Sequence, residues 1–415
     1  MSLGREEAAL LRGLYPIVLA RLVRTVRDLP EAEDAAQDAF ARAVERWPEQ
    51  GLPDNPEAWL LTVARNRYLD EQRRRQMRRR HADTIAFLAE TAPWHLALVP
   101  AGDFGDDLLA LIFTSCDPML EPTEAAALTL ATVVGLSGSE LSRLFLVTPT
   151  TIQQRLTRAR QRLRARRGHF EPASTEELDA RRRAVLLVLR GLFDHGYWAV
   201  GDQPIDATPC RLAIALLRAL HSFERHPDTE ALLGQVLLLE ARRPARWHDG
   251  CAIALPEQDR ARWDRELVAE GLSRVQHALA RGVPTTFGLE AAIAAVHAEA
   301  KTANETDWLQ IAMLYRGLEE LSPSPVVRVN RAVAVWQAEG AAAALVLLDA
   351  STAALERRPY PYLPLLRGTL LTELGRDVEA AAALSRAHRL ARNPEEARQV
   401  LLRLQELGQR PEEEP

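Results

Sequence analysis

The residues best placed to do chemistry are polar groups on one face of a basic segment. In Thr150-Thr-Ile-Gln-Gln-Arg-Leu-Thr-Arg-Ala-Arg-Gln161, a helical turn of about 100° per residue puts Ile152, Leu156, Ala159 and Leu163 on one side and Thr150, Gln154, Thr157, Arg158 and Gln161 on the other. The first set packs inward. The second is rich in donors that fit the major groove of DNA, where glutamine pairs with adenine and arginine with guanine. Arg155, Arg160, Arg162 and Arg164 flank it as phosphate contacts. Upstream, Val134-Gly-Leu-Ser-Gly-Ser-Glu-Leu141 reads as a short connection and a short helix to about Phe145, followed by the turn Val147-Thr-Pro-Thr-Thr151. Thr148 suits an N-cap and Pro149 the first helical position, where its missing amide hydrogen is no loss. The spacing predicts a helix-turn-helix. The other reading of the same residues is an amphipathic basic helix on a surface.

A second pair of patterns lies near the N-terminus. In Asp34-Ala-Ala-Gln-Asp-Ala-Phe-Ala-Arg-Ala-Val-Glu-Arg-Trp47, helical spacing turns Ala36, Phe40, Ala43, Val44 and Trp47 toward a core and leaves Asp34, Gln37 and Asp38 to a partner. In Pro56 to Arg75, Trp59 and Tyr68 are interleaved with Arg65, Asn66, Arg67 and the run Arg73, Arg74, Arg75. Aromatic faces beside guanidinium groups are what single-stranded nucleic acid requires, stacking for bases and positive charge for phosphates. Trp59 reads more simply as a core aromatic.

Other reactive side chains are scattered. His195 beside Asp194, and His248-Asp249 near Cys251, invite a metal or acid–base reading, yet no HxxxH or CxxC pair fixes a geometry. Gln258-Asp259-Arg260 with Trp263-Asp264 reads as a structural network closing an insert onto helices. No glycine-rich phosphate loop or nucleophile motif is present, so neither a catalytic residue nor a metal or cofactor is expected.

The elements that must position these groups are helical throughout. Of 415 residues 47% are hydrophobic and 26% charged, a globular composition of several domains. Three widely spaced cysteines, Cys116, Cys210 and Cys251, give no disulfide framework and suit a reducing cytoplasm. No signal segment or membrane span is read from the sequence. Charge is segmented: residues 1–80 hold 15 Arg and 13 acids, 81–140 hold 9 acids and no base, and 141–167 hold 8 Arg and no acid. Two basic patches around an acidic spacer suit two contacts on one duplex; solvated helix faces are the alternative. Helices are expected over Arg5 to Arg27, Glu31 to Trp47 and Pro56 to Arg80, with Pro30, Pro48, Pro53 and Pro56 at breaks or first turns. A connection at 81–106 leads to a second helical block at 107–167. Long Ala/Leu-rich helices follow, interrupted near Gly201 to Pro209, Arg243 to Pro256 and Gly282 to Gly288, with Cys251 to Leu255 as a strand-like insert. Arg331 and Gly340 recur as Arg367 and Gly375, offsets of 36 and 35 residues that match a two-helix repeat.

Three segments, AEDAAQDAF, PEAWLLTVARNRYLDEQRRR and GLSGSELSRLFLVTPTTIQQRLTRARQRLR, in this order and spacing resemble regions 2 and 4 of extracytoplasmic-function sigma factors of the sigma-70 family. ARRPARWHDG, LPEQDRARWDRELVAEG and TDWLQIAMLYRGLEELSPSPVVRVNRAVAV are similar to the subgroup with a C-terminal tetratricopeptide-like extension. The resemblance implies an all-α fold: a region 2 bundle (1–80), a linker (81–106), a region 4 helix-turn-helix (107–167) and a repeat domain (183–410). It implies a cytoplasmic, non-enzymatic initiation subunit that binds RNA polymerase core, through its clamp and flap regions, and promoter DNA. Asp34, Gln37 and Asp38 would then face the polymerase. Asn55, Arg65, Asn66 and Tyr68 would open and read the single-stranded −10 element, with Arg73, Arg74 and Arg75 near phosphate. Thr150, Thr151, Gln154, Arg155, Thr157 and Arg158 would read the −35 duplex. The extension would regulate in cis or take a protein or peptide regulator. One departure is Asp117 in Thr114-Ser-Cys-Asp-Pro118, where the subgroup tends to have histidine. The competing classes are a helix-turn-helix regulator acting without core polymerase and an enzyme housed in the extension.

Overall fold

A computed structural model describes residues 5–26, 29–80, 104–165, 175–197, 207–248, 251–282, 284–349, 360–391 and 394–408. Two compact units divide the chain, Met1–Leu192 and Phe193–Pro415. Among the described residues the fold is all-α, apart from one antiparallel pair of two-residue strands, Trp247–His248 and Cys251–Ala252. The strand-like insert is shorter than Cys251 to Leu255, because Leu255 already begins a 3₁₀ turn. No helix among the described residues is long and apolar enough to cross a membrane.

In the first unit, α1 (Arg5–Val26), α2 (Leu29–Gln50) and α3 (Pro56–Arg80) form a bundle. The inward stripe of α2 is Ala32, Ala35, Ala36, Ala39, Ala43 and Trp47, none more than 3% exposed. Small side chains at this cadence let α1 and α3 approach closely, and aromatic edges seal the ends. Tyr15 meets Phe40 edge-on at 5.1 Å between ring centroids, and Trp47 meets Trp59 at 5.6 Å. Trp59, half-buried, therefore packs on the edge of the core. Val44 does not: it is 49% exposed, since it lies about 100° round the helix from Ala43 and falls off the buried stripe. Pro48 does not end its helix either. It sits in the last turn, where one lost backbone bond is tolerated, and Gly51 at φ 83° closes the helix by donating to the Trp47 carbonyl at 2.9 Å.

The same unit continues with α4 (Phe104–Ser115), α5 (Pro122–Thr129) running into a π turn (Leu130–Val134), α6 (Gly138–Leu144), α7 (Pro149–Ala165) and α8 (Thr175–Tyr197), the last reaching across the division. Leu108, Leu111, Ile112, Leu128, Leu130 and Leu141 are buried. The start of α8 adds to this core. Its Arg181 donates to the Phe113 carbonyl at 3.1 Å, and a Cβ on Gly191 would stand 2.8 Å from a Leu130 methyl. Asp117 spends its carboxylate on a turn, accepting from the Met119 amide at 2.9 Å.

The second unit contains α9 (Thr208–Phe223), α10 (Pro227–Ala241), α11 (Arg265–Ala280), α12 (Thr286–Glu299), α13 (Trp308–Leu321), α14 (Pro325–Glu339), α15 (Ala341–Asp349), α16 (Tyr362–Glu373), α17 (Asp377–Arg389) and α18 (Pro394–Glu406), each packed on its neighbour in sequence. The interruption expected at Gly201 to Pro209 lies largely outside the described residues. The one after Arg243 is an insert of 3₁₀ turns and the strand pair. Residues offset by 35 occupy equivalent places: Gly340 joins α14 to α15 and Gly375 joins α16 to α17, both at positive φ, 94° and 70°. A side chain there would be strained, which is why the loose repeat keeps its glycine.

Candidate nucleic-acid interface

The helix-turn-helix forms where the sequence predicts it. Ser137 caps α6 in a reciprocal box, accepting from the Glu140 amide at 3.3 Å while the Glu140 carboxylate accepts from the Ser137 amide at 2.7 Å. The turn itself depends on a residue type that gave no signal: Leu146 takes φ 50°, the left-handed region, where a leucine pays a steric cost. Two bonds hold it there, Val147 N–H to the Ser142 carbonyl at 3.0 Å and the Ser142 hydroxyl to the Val147 carbonyl at 2.7 Å. Thr148 then caps α7 by accepting from the Thr151 amide at 3.2 Å, with Pro149 as the first helical residue.

With α7 fixed in this way, Ile152, Leu156 and Ala159 are buried, and Thr150, Gln154, Thr157, Arg158 and Gln161 are exposed. Thr151 and Arg155 are half-buried at the edge of the face. Gln153, absent from the predicted face, is exposed as well and extends it toward α6. Two arginines read as phosphate contacts are engaged elsewhere. Arg162 pairs with Glu124 at 2.6 Å, and Arg160 lies 3.7 Å from Glu33 of α2. Leu163 and Arg164 carry side chains outside the described set.

On α3, Ala58, Thr62, Arg65, Asn66 and Leu69 make one exposed stripe at spacings of three and four. Arg65 and Asn66, both expected from the sequence, stand on it, and the same spacing adds Thr62 and Leu69. Tyr68 is off the stripe, half-buried and engaged. Asn55 is exposed, and its side-chain oxygen caps α3 by accepting from the Ala58 amide at 3.0 Å. The backbone of Arg73, Arg74 and Arg75 continues the helix, and their side chains lie outside the described residues.

The face of α2 beside this stripe divides in two. Asp34 and Gln37 are exposed. Asp38 is half-buried, 3.1 Å from the Arg42 guanidinium and 3.7 Å from that of Arg67, so it ties α2 to α3 before it meets any partner. Gln37 donates to Glu33 at 3.4 Å. Next to that pair, burial first and the Glu33 charge second push the Tyr15 phenol up to about 12.

The scattered reactive groups do not assemble. Burial pushes the Cys116 thiol up to about 12 and the Cys210 thiol up to about 11, so both stay protonated and unreactive. His195 is half-buried, and the side chains of His248 and Cys251 lie outside the described set. Among the described residues no cluster of three or more His, Cys, Asp or Glu side chains is set to hold a metal. The Gln258 to Asp264 segment is structural. Asp264 caps α11, Gln258 donates to the Ile253 carbonyl at 3.0 Å, and Arg260 closes the C-terminal end of α12 on the carbonyls of His297 and Ala300 at 2.7 and 2.6 Å.

Comparison with known proteins agrees with this layout. Residues 10–78 match sigma-70 region 2 and residues 113–163 match sigma-70 region 4. Residues 181–279 match a family of unknown function, DUF6596. The uncharacterized protein R00370 of Rhizobium meliloti (strain 1021) is 37% identical over 402 residues, covering 95% of this chain and 94% of the relative. No solved structure matches. With both promoter-recognition regions in order on one compact unit and the extension behind them, the chain belongs to the sigma-70 family, as an extracytoplasmic-function-type sigma factor with a C-terminal DUF6596 extension.

Proposed function

We propose that this sigma factor docks on RNA polymerase core through the outer face of α2 and reads a bipartite promoter with α3 and α7. Asp34 and Gln37 are the primary core contacts, with Asp38 holding the face in register through Arg42 and Arg67, and Val44 adds apolar area beside them. Arg65 and Asn66, joined by Thr62 and Leu69, meet the displaced −10 strand. Thr150, Gln154, Thr157 and Arg158 meet base edges of the −35 duplex, and Thr151 and Arg155 its backbone. The chemistry of RNA synthesis belongs to the polymerase, and the chain works in the cytoplasm beside it. The extension acts in cis as a tetratricopeptide-like repeat, a reading supported by the matched turns at Gly340 and Gly375. The observation that carries the whole is the capped α7, whose donor-rich face is exposed while its apolar face is buried.

The test is in vitro transcription by the full chain with purified core polymerase on promoters from the source genome. Asp34→Arg should abolish core-dependent transcripts and co-elution with core while leaving binding to the −35 duplex intact. Duplex binding with no core-dependent transcript from the unaltered chain would replace this reading by a regulator that acts without core.

A further inference from the structure

Three helices of the second unit, α15, α16 and α17, leave between them a space that their own side chains do not fill. Helices α16 and α17 meet closely on one face, where a Cβ on Gly368 would stand 2.6 Å from Leu384. About 200° round α17 from Leu384, the helix turns Ala382 and Ala383 toward α15, and these side chains are too short to close the gap. The result is a cavity of about 350 Å³, a volume in the range of small-molecule sites. Its inner surface is apolar. Leu345 of α15, with Leu363 and Leu371 of α16, lines it and is buried. Tyr360, also buried, adds an aromatic wall, held edge-on to Tyr362 at 5.4 Å between ring centroids.

The charged groups around this surface do not balance. Arg367, Arg376 and Arg386 line the cavity against two carboxylates, Asp349 and Glu379, which leaves a net positive charge. Both carboxylates are already held. Asp349 accepts from Arg367 at 2.9 Å, and the two oxygens of Glu379 accept from Arg376 at 2.8 and 2.7 Å. A cationic ligand would have to displace a guanidinium to reach either carboxylate, and would meet Arg386 as well. An anion meets surplus positive charge beside an apolar wall, where attraction is screened less than in bulk water. The planar fork of a guanidinium matches a carboxylate in particular. The ligand complementary to this cavity therefore combines a hydrocarbon body with a single negative charge.

We infer that the cavity between α15, α16 and α17 is a binding site for a small organic carboxylic acid, its hydrocarbon body against Leu345, Leu363, Leu371 and Tyr360 and its carboxylate among Arg367, Arg376 and Arg386. Val346 and Val378 extend the apolar walls outward: they are 73% and 78% exposed and share helix faces with the lining residues Asp349 and Ala382, three and four positions away. The site lies wholly within the second unit. It is independent of the promoter and polymerase roles proposed above, and it gives the extension a chemical input of its own.

The experiment is an NMR titration of the full chain with phenylpropionate, with phenylpropanol as the probe that lacks the charge and inorganic phosphate as the probe that lacks the hydrocarbon. Phenylpropionate should bind with a millimolar dissociation constant or tighter, and each of the other two at least about tenfold more weakly. Ala383→Trp, at a half-buried lining position, fills the cavity and should abolish binding. Two changes at the charged rim should act in opposite directions. Arg386→Gln should weaken binding about fivefold, and Glu379→Gln, which releases Arg376 from its carboxylate, should strengthen it about fivefold. Glu379 is exposed, so its variant keeps the fold and reads binding by itself. No binding of phenylpropionate, equal binding of phenylpropanol or of phosphate, or equal affinities in Arg386→Gln and Glu379→Gln would overturn the site.

Discussion

The recognition helix and the insert of the extension use one residue type in opposite ways. On α7, Arg158 is exposed beside Gln154 and Thr157, a guanidinium left in water. In the insert, Arg246 and Arg260 are 7% and 8% exposed. Each is buried against helix ends: Arg246 donates to the Tyr197 carbonyl at 2.8 Å, at the last residue of α8, and stacks on the Tyr197 ring at 3.7 Å. Arg260 donates to two carbonyls at the end of α12 and to Thr306 at 3.1 Å, over the Trp263 ring. Carbonyls at a helix C-terminus that lack backbone donors carry partial negative charge and so suit a guanidinium. Arginine content therefore says little about nucleic acid until burial divides the structural cations from the available ones.

Breaking the buried half of this comparison should cost most. Arg260→Ala leaves the α12 carbonyls without donors and removes stacking on Trp263, so thermal unfolding should show a loss of about 3 kcal/mol, while duplex binding by the first unit is unchanged. A stability equal to the unaltered chain would mean that these carbonyls find other donors. The same cluster predicts a pH response. Burial, with Arg242 and Arg260 nearby, holds the His297 imidazole down to about 3, so the folded chain keeps it neutral while the unfolded chain protonates near 6.5. The unfolded state binds the extra proton between those values, and stability should fall as pH drops from about 6.5 toward 3, with a slope approaching about 1.4 kcal/mol per pH unit. His297→Gln should flatten that slope in denaturant titrations at stepped pH.

The exposed half should respond in affinity and not in stability. Arg158→Ala is expected to weaken −35 duplex binding by about 1–3 kcal/mol and to relax preference at one base pair, with an unchanged melting temperature. Arg155→Ala, at the edge of the face, should weaken binding to all sequences alike and reduce the salt slope by about one unit. Ser137→Ala tests the support of the site, since losing the α6 cap should cost about 1 kcal/mol and lower affinity only through stability. If Ser137→Ala instead weakened binding as much as Arg158→Ala at full stability, the base-reading role of Arg158 would be untenable.

Local rules read well where one helix satisfies itself. Thr148, Pro149 and the alternation of Ile152, Leu156 and Ala159 with Gln154 and Arg158 are contained in a single segment, and the structure reproduces them. They fail where a second element enters. By sequence Arg160 falls among the phosphate contacts because nothing on its own helix opposes it, and Glu33, 127 positions earlier, does. Helical spacing includes Val44 in the inward stripe of α2, but the stripe is narrower than that, filled by Ala43 and Trp47, and Val44 is left exposed. Leu146 gave no turn signal, because the left-handed cost is met by bonds from Ser142 that depend on the two helices being in place.

What the sequence by itself determined is the set of local decisions: all-α elements, their caps, the order of regions 2 and 4, and the apolar and polar faces of α7. Each rests on hydrogen bonds and periodicity within about one or two helical turns. What only the tertiary structure decided is which charges are available. Glu33 closes on Arg160, Asp38 on Arg42 and Arg67, and Arg260 on the end of α12. The physical reason is that a guanidinium on a helix surface has the same local environment in each case. Its partner is set by the element packed against it, which periodicity along one segment cannot see.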